Sequence, residues 1–181
     1  MTPSTARLLD AVAGALRARI RLDVSRLVVA LVSAAIASLF LPQPAWVASE
    51  SSWIWAFVVL TAISVVLEFF AVELPRGGVV SVATMSHVAT VLLVPPPFAA
   101  LSVGSAILVE ELVHRRPLAR IAFNTASYVL TVSLACFAVS LIGDPRVLVA
   151  NREHLSLVVM VVVACLAYYL VNDTLTNAIM A

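Results

Sequence analysis

Ile121–Ile142 reads IAFNTASYVLTVSLACFAVSLI, twenty-two residues without a charge, stopped by Gly143-Asp144-Pro145. A bilayer core of about 30 Å needs roughly 20 helical residues, so this stretch alone is long and apolar enough to cross one. The rest of the chain has the same character. Of 181 residues, 62% are hydrophobic and 12% charged, against roughly 45–50% and 25% in soluble domains. Mean hydropathy is +1.08. A globule this small cannot hide so much apolar surface, so lipid must serve as its second solvent. The composition excludes a disulfide scaffold and a disordered tail. A formal charge of +1 offers no field for nucleic acid.

Four further stretches match the first. Val24–Leu41 ends at Pro42-Gln43-Pro44, Trp53–Phe70 runs to Leu74-Pro75, Pro97–Val113 stops at His114-Arg115-Arg116-Pro117, and Leu155–Asn172 continues through Asp173. Proline cannot continue a helix, which sets these ends. Val79–Val94 is shorter, Ser/Thr-speckled and closed by Pro95-Pro96-Pro97. The expected fold is therefore an all-α, polytopic membrane helical bundle of about six transmembrane segments. Its third and fourth segments fit either two crossings or a re-entrant hairpin tipped by the prolines, since both enter and leave on one side.

Arginine sets the orientation. Arg7, Arg17, Arg19, Arg21, Arg26, Arg76, Arg115, Arg116 and Arg120 fall on one side and only Arg146 and Arg152 on the other, nine against two. The rich side is cytoplasmic, which puts both termini there. Trp46, Trp53 and Trp55 sit on the opposite side, where an interfacial aromatic belt belongs. Ahead of the bundle (24–181), residues 1–23 form a cytoplasmic segment. Within it Leu9, Val12, Leu16 and Ile20 make one stripe, predicting an amphipathic helix on the anionic leaflet. Small residues at four-step spacing, such as Ala100 and Gly104, favour close helix packing.

Ionisable groups within spans are functional candidates because burying them in lipid costs roughly 2.5–3.5 kcal/mol. Glu68 ends the second span, Glu110 and Glu111 end the fourth, Asn124 opens the fifth, and Asp173 lies where the last nears the cytoplasm. His87, eight residues past Val79, is expected about 12 Å deep at 1.5 Å per residue. These six residues form the predicted ligand-binding or sensing set, a cytoplasm-facing polar cavity with His87 as roof. The simpler alternative pairs the carboxylates with Arg115, Arg116 and Arg120 at the interface. His87 could also titrate near neutral pH.

Catalytic motifs are incomplete. Glu110-Glu111-Leu112-Val113-His114-Arg115 reads E-E-x-x-x-R and resembles the first motif of CAAX-type intramembrane proteases. That family's later F-x-x-x-H and H-x-x-x-N/D motifs have no counterpart here. The three histidines are scattered and Cys136 and Cys165 lie within spans, so no metal set, cofactor or redox motif is expected.

The order Leu74-Pro75-Arg76-Gly77-Gly78-Val79-Val80-Ser81, Val94-Pro95, Arg115-Arg116-Pro117, Phe123-Asn124, Tyr169-Leu170-Val171-Asn172 resembles the N-terminal membrane module ahead of HD-GYP phosphodiesterase or GGDEF cyclase domains in bacterial cyclic-di-GMP signalling proteins. The resemblance implies a sensor or anchor in the bacterial cytoplasmic (inner) membrane, partnered by the bilayer and by a cytoplasmic signalling domain or a second copy. It implies no catalysis, because the sequence carries no HD pair, HD-GYP or GGDEF element. Pro75, Arg76, Gly77 and Gly78 read as a structural turn, with glycine supplying positive φ and arginine an anchor at the headgroups. The competing expectation is a small-molecule binding or transport component resembling the substrate-binding subunits of vitamin-uptake systems.

Overall fold

The computed structural model describes residues 25–40, 53–70, 72–73 and 79–180. The amphipathic stripe in 1–23, Trp46 and the Pro75–Gly78 turn lie outside the described residues. The chain is helical: α1 (Ser25–Ser38), α2 (Trp53–Glu68), α3 (Thr84–Leu93), α4 (Pro96–Val113), α5 (Leu118–Ser140), α6 (Pro145–Ala150) and α7 (His154–Met180). Among the described residues the one ladder is a two-residue antiparallel pair, β1 (Val72–Glu73) with β2 (Val79–Val80), in the register Val72↔Val80 and Glu73↔Val79.

Among the described residues, three helices, α4, α5 and α7, are long and apolar enough to cross a membrane. The remaining apolar helices are shorter than the sequence led us to expect. α1 and α2 both end in a tightened turn, with Leu39 and Phe40 bonding back to Ile36 and Ala37, and Phe69 and Phe70 to Val66 and Leu67. The Val79–Val94 segment is helical only over Thr84–Leu93, because Val79 and Val80 are spent in the ladder. A turn over Ser81–Thr84 then starts the helix, Ser81 Oγ accepting from the Ala83 N–H at 3.1 Å. His87 consequently lies three residues into α3, about 4.5 Å along it, not the expected twelve. α6 was not foreseen either.

Local chemistry fixes the breaks. Val94 is extended (φ −112°, ψ 142°), as a residue before proline must be, and Pro96 and Pro97 fill the first positions of α4, where no N–H is needed. α4 closes with Arg115 at φ 52°, its N–H on Leu112 O and the Arg116 N–H on Glu111 O. This is a Schellman cap with arginine where glycine is usual.

Packing sets the levels of the helices. Phe98 stacks against Trp53 (4.5 Å between centroids) and Phe57, and Ser102 shares a hydrogen with Thr61 at 2.6 Å. α2 and α4 therefore run in the same direction. α3 runs back alongside both, with Ser86 on Ser64 at 2.8 Å. The proline break thus lies level with the Trp53 end of α2. α5 packs along α4, and α7 along α5. α1 joins the buried core through Leu31 and Ala35 and is tied to α5 by a Ser38–Ser133 bond of 2.9 Å.

The exterior is apolar, and the aliphatic core around Val91, Val94, Val103, Val132 and Met160 is shared with buried polar groups. Buried side chains include Ser64, Glu68, Ser86, His87, Thr90, Ser102, Glu111, Ser127, Thr131 and Ser133, while Val29, Phe70, Phe137, Leu141, Leu155, Val158 and Leu170 are exposed. Most buried polar groups are paired inside while the surface is aliphatic and aromatic, the arrangement lipid favours.

Candidate functional site

Helical spacing builds the site. Thr61, Ser64 and Glu68 recur at steps of three and four on α2, so one stripe carries them all towards α3 and α4. On α5, Arg120, Asn124, Ser127, Tyr128 and Thr131 fall within one stripe by the same arithmetic. On α7 the buried side is Met160, Ala164 and Tyr168, again at steps of four. Where these stripes meet, His87 projects from the first turn of α3.

His87 is 1% exposed and Glu68 7%, so neither is satisfied by bulk water. Imidazole Nδ1 is 2.6 Å from the Tyr168 hydroxyl. On the other side Nε2 stands 3.4 Å from Glu68 Oε1. Among the described residues neither of those two atoms has a hydrogen-bond partner. The second carboxylate oxygen, Oε2, accepts from Ser81 Oγ at 2.9 Å, and Ser81 is only half-buried. The Tyr128 ring meets His87 edge-on at 5.9 Å and Tyr168 at 6.3 Å. The result is a line from the surface inward: Ser81, Glu68, His87, Tyr168.

A second cluster adjoins it at the α4–α5 corner. Glu111 is buried, its Oε1 bonded by Asn124 Nδ2 and 3.5 Å from Arg120 Nε. Glu110 is half-buried and 3.1 Å from His114 Nδ1, and His114 in turn stacks on Phe69 at 5.9 Å. The Glu110 charge reaches Glu68, and those of Glu68, Glu110 and Glu111 all reach Tyr128.

Five of the six sequence-predicted residues are thus brought together: His87, Glu68, Glu110, Glu111 and Asn124. Asp173 is not among them. It is exposed and sits five residues beyond Tyr168, about 140° round α7 at 3.6 residues per turn. The expected pairing of carboxylates with arginine holds for Glu111 and Arg120 alone among the contacts described; the others choose histidine. Sequence reasoning missed Tyr128, Tyr168 and Ser81. The available signal was spacing, since Asn124 and Tyr128 are four apart and align with Thr131. Among the described residues, no three His, Cys, Asp or Glu side chains are grouped to hold a metal ion.

Comparison with protein-family models, with curated proteins and with solved structures returned no match.

Proposed function

We propose that the chain is a non-catalytic sensory or anchoring module embedded in a bacterial cytoplasmic membrane, with both termini cytoplasmic. In this reading α1–α5 and α7 each cross, and α3 is a shortened crossing completed by extended Val94–Pro95. The observation that carries it is convergence. Five helices contribute polar groups to two adjoining clusters that together make one largely buried network, Glu68 from α2, His87 from α3, Glu111 from α4, Asn124 and Tyr128 from α5 and Tyr168 from α7. The network gathers at the arginine-rich end. A buried polar network has few arrangements that satisfy every member, so disturbing one group repositions the helices that carry the others. α7 leaves this network towards the chain's C-terminal end, where an attached or docked signalling partner would read it.

The transport reading draws support from the proline-broken α3–α4 connection, because interrupted helices build transporter sites. Here the break lies beside Trp53 and Phe98, at the opposite end from the polar network, which ranks transport second.

The test is a distance. Spin labels at Arg116→Cys and Thr174→Cys, with Cys136 and Cys165 replaced by alanine, report the separation of the α4–α5 corner from α7 in nanodiscs. His87→Gln is expected to change that separation by about 1–2 Å or more, the scale of helix shifts in switching proteins. An unchanged distance distribution in a folded His87→Gln protein contradicts the sensory reading.

A further inference from the structure

Two buried atoms with unmet hydrogen-bonding capacity face each other in this network. His87 Nε2 and Glu68 Oε1 are 3.4 Å apart, and neither has a hydrogen-bond partner among the described residues. Both belong to groups that bind and release protons, and a proton between them would serve both. We propose that the Glu68–His87 pair is a proton-binding site, reached from the cytoplasmic face through Ser81, and that Tyr168 transmits its occupancy to α7. The proposal rests on the sensory reading above and names its signal.

Proton counting shows why Tyr168 must respond. With one proton on the pair, Nε2–H donates to the Glu68 carboxylate and bare Nδ1 accepts the Tyr168 O–H. The other tautomer would set a bare nitrogen lone pair against a carboxylate. A second proton, taken from solvent, gives either imidazolium with carboxylate or, because Oε2 is held as acceptor by Ser81, a carboxylic acid whose Oε1–H donates to the bare Nε2 of neutral imidazole. In both forms Nδ1 carries hydrogen and donates to Tyr168 Oη. The Tyr168 O–H loses its acceptor and must turn to another. Adding one proton therefore reverses a 2.6 Å hydrogen bond between α3 and α7 without breaking any covalent bond other than those to hydrogen.

The surroundings suit this role. Every element packed on α3 presents a titratable or charged group towards the pair: Glu68 itself from α2, Glu110 from α4, Tyr128 from α5 and Tyr168 from α7, while Glu111 of α4 is turned to Asn124. Arg120 of α5 is committed to Glu111. Ser81, half-buried, bonds the outer carboxylate oxygen and links the pair to solvent at the mouth.

The test uses the full chain in nanodiscs with 15N-labelled histidine, followed by NMR from about pH 4 to 9, a range that brackets histidine and carboxylate titration. His87 is identified by loss of its signal in His87→Gln. The spin-label distance between positions 116 and 174 is followed over the same range. The expected result is one transition of His87 with a matching change in distance. Glu68→Gln should displace the transition by about one pH unit or more, because a charge at this range does so. Tyr168→Phe should leave His87 titrating while the distance no longer follows. A His87 signal constant over the whole range overturns the proposal, as does titration with a distance that ignores pH in the wild type. If the distance still shifts in His87→Gln, the sensory reading survives that failure; if it does not, both fall together.

Discussion

Tyr168 and its neighbour Tyr169 differ in one respect that decides what each substitution does. Tyr168 is 3% exposed and bonded to His87, whereas Tyr169 is 68% exposed. Tyr168→Phe leaves imidazole Nδ1 unpartnered and should cost about 1 kcal/mol of stability, the usual worth of a hydrogen bond between helices in lipid. Tyr169→Phe should cost nothing measurable. Thermal unfolding of the purified proteins in one detergent compares them. Arg115 gives a second test, because it holds φ 52° in the cap of α4. Glycine accepts that conformation and a β-branched side chain resists it, so Arg115→Val should be less stable than Arg115→Gly by about 1–2 kcal/mol in the same assay. His87, Glu68, Glu110, Glu111 and Asn124 were legible in the sequence because charge or amide in an apolar run is conspicuous. The tyrosines were not. A ring with one hydroxyl reads as apolar until its partner is known.

Helix contacts set the next scale. A Cβ built on Gly104 would stand 2.6 Å from Val129 Cγ2, so α4 and α5 meet there with no room for a methyl. Gly104→Ala should destabilise by about 1–3 kcal/mol through overpacking. Val129→Ala removes the obstructing methyl, so the double variant should recover at least about 0.5 kcal/mol relative to additivity, measured as a double-mutant cycle. The Ser64–Ser86 bond between α2 and α3 makes a second cycle. Ser86 Oγ already donates to the Ala83 carbonyl at 2.7 Å, so Ser64 is the donor of the pair. Ser86→Ala strands the buried Ser64 hydroxyl, whereas removing both leaves nothing unpaired, so the double should cost no more than Ser86→Ala alone. The sequence announced the close approach at Gly104 and the breaks at Pro95 and Pro117, while α1 and α2 stop short of their expected ends. It did not announce where α3 begins. Val79 and Val80 suit a membrane helix and a strand equally, and only their pairing with Val72–Glu73 decides between them. The same ambiguity placed His87 too far along its helix. On α1 the small residues Ser33 and Ala37 lie four apart and are both exposed. The face that docks carries Leu31, Ala35 and Ser38, because position 38 can bond Ser133.

For the molecule as a whole, composition and arginine placement predicted an apolar exterior, and the distribution of buried serine, threonine, histidine and glutamate against exposed valine, leucine and phenylalanine has that form. Sequence also located most of the polar network at one end, since Glu68, Glu110, Glu111 and Asn124 all fall beside arginines. What it could not give was convergence, which depends on α2 and α4 running in parallel with α3 packed alongside both. The account requires this end to face the cytoplasm and the α5–α7 connection to face outward. The direct measurement is labelling by a membrane-impermeant thiol reagent in sealed vesicles, on chains whose Cys136 and Cys165 are replaced by alanine. Arg116→Cys should react only when the reagent has access to the cytoplasmic side, and Glu153→Cys only from the other. Reaction of both from the same side, or recovery of the folded protein from a detergent-free extract, would contradict it.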